Sequence, residues 1–73
     1  MKKKEQLKIA EKAADIISKQ IIQSEVEEED MIEKMIDDAE MDFIVGNPFN
    51  LSNDKDIRKV AELQSEILED MFL

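Results

Sequence analysis

The sequence predicts an all-α fold, a small three-helix arrangement that runs up, down and up and is completed by homodimerisation. Apolar residues recur at spacings of three and four along three segments, which is the period of an amphipathic helix. The single glycine and the single proline lie close together between the second and third segments and mark a stop. A chain of 73 residues forms one domain, 1–73, and buries only roughly 60% of its unfolded surface, so a second copy would add stability.

The first helix is predicted from about Lys2 to Gln23. One side of this helix carries charged residues, among them Asp15 and Lys19 in the favourable i, i+4 order. The apolar stripe consists of Leu7, Ala10, Ala14, Ile17 and Ile21, widened by Ile9, Ala13 and Ile16.

The start of the second helix is ambiguous because two capping boxes compete, Ser24 with Glu27 and Asp30 with Glu33. We favour Asp30, since a clean amphipathic face follows it: Met31, Ile32, Met35, Ile36, Ala39 and Phe43. An alternative stays open. The stripe of the first helix continues in phase into the second, so one unbroken helix of about forty residues would also fit the pattern.

Gly46-Asn47-Pro48 predicts the end of the second helix, with the glycine as a left-handed C-cap and the proline as a block to continuation. We expect Phe49 and Leu51 to anchor the following loop on the core. Ser52, Asn53 or Asp54 can cap a third helix that runs to about Met71. The apolar set of this helix is Ile57, Val60, Ala61, Leu63, Ile67, Leu68 and Met71.

The absence of cysteine and histidine removes the usual thiol nucleophile, the usual general base and the common zinc ligands. We therefore predict no catalytic, cofactor-binding or metal-binding residues. The oxygen-bearing series that starts at Asn50 fails as a calcium loop, because Lys55 replaces its glycine and Ala61 its final glutamate. Without cysteine, a secretory h-region or an apolar span, a cytoplasmic protein that does not contact a membrane is expected.

Charge is distributed unevenly along the chain. Residues 1–22 carry a net charge of +3, residues 23–45 carry −9, and residues 46–73 carry −3. Neighbouring acids one turn apart on the second helix repel each other, and cations supplied from elsewhere would relieve this. The candidate partner-binding residues are Glu29, Glu33, Asp37, Asp38, Glu40 and Asp42.

These observations favour a non-enzymatic regulator or inhibitor that docks on a basic surface of a protein partner. In size and charge the chain is similar to antitoxins and to phage-encoded anti-host or anti-defence proteins, a similarity of class only. One alternative is a nucleic-acid mimic in the cleft of a nuclease such as a CRISPR or restriction effector, and another is a homo-oligomeric helical scaffold. A plainer interpretation is that the first and second helices pack antiparallel and neutralise each other's charges. Direct nucleic-acid binding is disfavoured by the overall negative charge.

Overall fold

The computed structural model describes residues 1–24 and 28–73, and within them the chain forms three α-helices: α1 Lys3–Gln23, α2 Glu29–Gly46 and α3 Asp54–Phe72. The all-α prediction is therefore confirmed. The single long helix is not formed, because α1 stops at Gln23. Ser24 is its C-cap: the backbone N–H makes a last i→i−4 bond to Gln20 O, at 3.0 Å, and the hydroxyl donates to Ile21 O, at 2.8 Å.

The direction of the helices follows from the contacts between them. Near the starts of α1 and α3, Gln6 Nε2 donates to Asp56 Oδ1 at 3.0 Å, so these two helices run parallel. The start of α2 packs near the end of α3, where Ile32 lies in one cluster with Leu68. Since α2 thus runs opposite to the other two, the order is up, down and up, as predicted.

The third helix is the centre of the molecule. It packs along both α1 and α2, whereas α1 and α2 touch each other at few positions. The core consists of two clusters along α3. The first contains Ala10, Ala13, Phe43, Leu51, Ile57, Val60 and Ala61, and the second contains Ala14, Ile21, Ile32, Ile36 and Leu68.

Side-chain size differs between the two helices that cover α3. On α1 the buried positions include Ala10, Ala13 and Ala14, whose small side chains allow a close approach of the backbones. On α2 they are large: Ile32, Ile36 and Phe43. Because α1 and α2 each use their buried stripe against α3, they touch each other at few positions, and part of their apolar surface stays uncovered between them.

Several core predictions were wrong. Leu7, Met31 and Met71 are exposed, although each falls on a predicted apolar stripe. Conversely, three polar side chains are buried: Gln6, Ser18 and Gln64. Periodicity identified the stripes correctly, but the neighbouring helix covers only part of each stripe.

The predicted caps of α2 also need correction. Asp30 is not the N-cap, because the helix begins at Glu29 with Glu28 preceding it. Ser24 does not start α2 either, because it is the C-cap of α1; its predicted box partner, Glu27, lies outside the described residues. Gly46 is the last helical residue, and Asn47 takes the left-handed conformation, with φ 38° and ψ 61°. Asparagine tolerates this region better than most residues because its short polar side chain can hydrogen-bond locally.

The loop after α2 is held by that asparagine. The Asn47 carboxamide brackets Leu51, donating from Nδ2 to its carbonyl oxygen and accepting its backbone N–H on Oδ1 at 3.0 Å. Leu51 is buried, and the Phe49 ring stacks on Phe43 with a centroid distance of 5.5 Å. The predicted anchoring by Phe49 and Leu51 is confirmed. Asn53 is the cap of α3, accepting the Lys55 N–H at 2.9 Å.

Candidate functional site: the acidic helix and the groove beside it

Helix α2 carries seven acids and a single cation, Lys34. Its candidate residues do not form one continuous face. Glu29, Glu33 and Asp37 follow each other at i, i+4 spacing and are all exposed; we call them the outer row. Asp38 and Asp42, also four residues apart, lie on the side of α2 that faces α1; we call them the rim pair.

Glu40 differs from the other candidates because it is half-buried against α3. Its Oε2 accepts a hydrogen bond from the Ser65 hydroxyl at 2.5 Å. This carboxylate helps to fix α2 on α3, and it is less open to a partner than the outer row.

The lysines of α1 do not neutralise α2 in this fold. Among the residues that the structure describes, two ion pairs form, Lys19 with Asp15 at 3.2 Å and the Met1 amino group with Asp56 at 3.4 Å. Neither pair joins α1 to α2. The remaining residues 25–27 are Glu, Val and Glu, so they add no cation. The antiparallel packing of α1 and α2 with neutralised edges is therefore not observed within the chain.

A groove lies where α1 and α2 fail to meet. Its larger section encloses about 340 Å³ and its second section about 200 Å³. The two sections share Ile17 and Gln20 of α1 and Ala39 and Asp42 of α2, so they form one continuous depression. Small residues widen it, since Ala13, Ala39 and Gly46 are in the walls, and the loop residues Pro48 and Phe49 line it beside Gly46.

The floor of the groove is Gln64, in the middle of the buried face of α3. This side chain is 0% exposed, and within the described part of the molecule neither its Nε2 nor its Oε1 has a hydrogen-bond partner. A buried amide without partners is costly, and such groups are rare in folded proteins. The sequence analysis missed this residue. Gln64 lies midway between Val60 and Leu68 at i, i+4 spacing, so a polar residue on the apolar stripe was the signal that could have identified it.

In residues 1–24 and 28–73, no three acidic side chains come together in a way that could hold a metal ion. None of the helices in these ranges is both long and apolar enough to cross a membrane.

No family model, curated protein or solved structure matches this chain significantly. Two features of the molecule bear on its function: the acids of α2 and the groove between α1 and α2.

Proposed function

We propose that this protein is a non-enzymatic regulator or inhibitor that docks, through the acids of α2, on a basic surface of a cytoplasmic protein partner. The observation that carries the proposal is the exposure of the outer row, Glu29, Glu33 and Asp37, none of which forms an ion pair with a cation that the structure describes. The antitoxin-like and anti-defence classes are the ones in which such a protein would act.

The physical argument concerns repulsion within the helix. Glu29 and Glu33, and Glu33 and Asp37, are like charges one turn apart, and each such pair destabilises a helix by about 0.2–0.5 kcal/mol. Lysine or arginine side chains of a partner would remove this cost and would steer the encounter from a distance. Binding should therefore be fast at low salt and should weaken as salt is added.

The test uses the chain as bait in an affinity capture from the source cell, followed by titration of the purified captured protein. The expected partner is basic, and its affinity falls steeply with ionic strength. A variant with the outer row neutralised should no longer bind the captured protein. Its substitutions are Glu29→Gln, Glu33→Gln and Asp37→Asn. The matched control removes the same charge from exposed acids of α3: Glu62→Gln, Glu69→Gln and Asp70→Asn.

Two results would contradict the proposal: a captured protein whose binding surface is not basic, or equal losses in the α2 and α3 variants. A third measurement addresses the nucleic-acid mimic. If DNA or RNA competes with the chain for the captured protein, the basic surface is a nucleic-acid cleft and inhibition is by occupation. If there is no competition, the docking surface lies elsewhere on the partner.

Homodimerisation is proposed at a different part of the molecule. Ile22, Met31 and Met71 are exposed and lie at the same end of the bundle, where α1 and α3 finish and α2 begins. Sedimentation should show a dimer that Met71→Lys disrupts, whereas Met41→Lys, at another exposed methionine of similar exposure, should leave it intact. An assembly that survives both variants would remove this end as the contact.

A further inference from the structure

The groove between α1 and α2 has the length of a short helix. Along α2 its walls extend from Met35 to Gly46, which corresponds to roughly 16 Å or about three helical turns. Both long walls are helices, and the ridges of a third helix fit between two others in the way that bundles pack. An amphipathic helix laid on these walls would complete a four-helix bundle with α3 on the far side.

The Gln64 carboxamide narrows the chemistry of this occupant. It offers one donor group and one acceptor, both without partners in the described structure. The backbone of a helical occupant is already hydrogen-bonded internally, so the matching groups must come from a side chain. Asparagine and glutamine are the side chains that supply a donor and an acceptor together, and a buried polar contact of this kind fixes the register of packed helices.

The rim pair decides the charge of the occupant. Asp38 and Asp42 border the apolar walls, and in the described residues neither forms an ion pair. A second copy of this chain carries a net charge of −9, so the approach of its whole body to this edge is opposed by charge. A helix with lysine or arginine beside its apolar stripe complements both the apolar walls and the acids.

We propose that the groove receives an amphipathic helix of a basic protein partner, with an asparagine or glutamine against Gln64 and cationic side chains against Asp38 and Asp42. The proposal rests on the function proposed above, and it adds that the partner is engaged by insertion of a helix as well as by surface charge. The outer row then attracts the partner, and the groove holds it.

The first test uses a synthetic helical peptide of about five turns, with a leucine stripe, one central glutamine, lysines flanking the stripe and one outward-facing tryptophan. The protein contains no tryptophan, so the fluorescence anisotropy of the peptide reports binding directly. Amide resonances should shift along Ile17, Ala39 and Asp42, and those of the outer row should stay in place.

A matched pair of variants locates the binding. Ile16 is 45% exposed and lines the groove, whereas Leu7 is 41% exposed on the same helix and lies outside it. Ile16→Lys should weaken the binding of the peptide by at least about tenfold, because the bound helix would bury a lysine, and Leu7→Lys should leave the affinity unchanged. Both changes add the same charge, so a difference reports position.

A second pair tests the rim. The double variant Asp38→Asn with Asp42→Asn should bind the peptide roughly fivefold more weakly at low salt. Glu33→Gln with Asp37→Asn, which removes the same charge from the outer row, should have a smaller effect. A peptide with glutamates in place of its flanking lysines should bind neither the wild-type protein nor the outer-row variant.

Changing the central residue of the peptide and, separately, Gln64 of the protein tests the amide contact. The wild-type protein should prefer the glutamine peptide over a peptide with leucine at that position by roughly tenfold, since leucine leaves the amide unpaired. Gln64→Met should reverse the preference. If this variant fails to fold, the leucine peptide on the wild-type protein still measures the amide contact.

The inference is overturned if Ile16→Lys binds the peptide like the wild type, if the resonance shifts follow the outer row, or if sedimentation shows a second copy in the groove that Ile16→Lys releases. These outcomes are separate from those of the proposed function. Loss of the captured partner in the outer-row variant, together with full binding in Ile16→Lys, would keep surface docking and remove the helix. Failure to capture any basic protein would remove the function itself.

Discussion

The two sides of the bundle differ in how completely they are packed. Where α3 meets α1 and α2, the side chains of Ile21, Ile36 and Leu68 are almost entirely buried. Where α1 faces α2, a groove remains, and Ile16 on its wall is still 45% exposed. The folding free energy therefore comes mainly from the two interfaces of α3, and the third interface of the bundle stays open.

The contrast extends to polar groups. Gln6, on the packed side, donates to Asp56, whereas Gln64, beneath the open side, has no partner in the structure as described. A protein of this size has little stability to spare, so an unpaired buried amide is a considerable cost for the monomer. Features that lower stability are common at binding sites, and this cost is one reason for proposing the groove as one.

The largest expected effect concerns the packed side. Leu68→Ala should lower the free energy of unfolding by about 2–5 kcal/mol, because a fully buried side chain is replaced by a cavity. Ile16→Ala, on the open side, should cost less than about 1 kcal/mol. Urea denaturation followed by far-UV circular dichroism measures both. Equal losses would mean that the groove is closed in solution.

The next largest effect is a change in the free energy of unfolding that has opposite signs at the two buried glutamines. Gln64→Met should raise the free energy of unfolding by about 1–3 kcal/mol, because the unpaired amide is removed. Gln6→Met should lower it by about 1 kcal/mol, because the hydrogen bond to Asp56 is lost. Thermal and urea unfolding of the two variants give the comparison. A loss at Gln64 would show that its amide is satisfied in solution, for example by water in the groove.

The smallest effect concerns the outer row. Glu33→Gln relieves repulsion with Glu29 and with Asp37, so the helix should gain a few tenths of a kcal/mol at low salt. The control is Glu62→Gln on α3, where Arg58 and Glu66 lie one turn away on either side and their effects cancel. Melting temperatures at low and high salt measure the difference. A gain that persists at high salt would not be electrostatic.

Much of the fold was predictable because it is local. The three helices, the stop near Gly46 and the anchoring by Phe49 and Leu51 follow from apolar spacing and turn chemistry within short segments. The finer choices were less accessible. Whether Gly46 or Asn47 takes the left-handed position depends on the bracket that Asn47 makes to Leu51, a contact four residues away that competes with the usual preference for glycine.

The acidic residues of the candidate site were predictable as a group, since their number and spacing on α2 are properties of the sequence. The division of these acids into different surfaces was not predictable. The outer row, the rim pair and the bond from Ser65 to Glu40 depend on where α1 and α3 lie relative to α2, and charge spacing along one helix contains no information on its neighbours.

The sequence by itself determined three amphipathic helices, their order and a surplus of negative charge on the second. The tertiary structure alone decided that α3 takes the centre, that α1 and α2 stay apart and that Gln64 becomes a buried, unpaired floor between them. The physical reason is that periodicity specifies which residues share a helix face, whereas side-chain sizes across the interfaces specify which faces can meet. Small alanines on α1 and large side chains on α2 both pack against α3, and the space between them remains open.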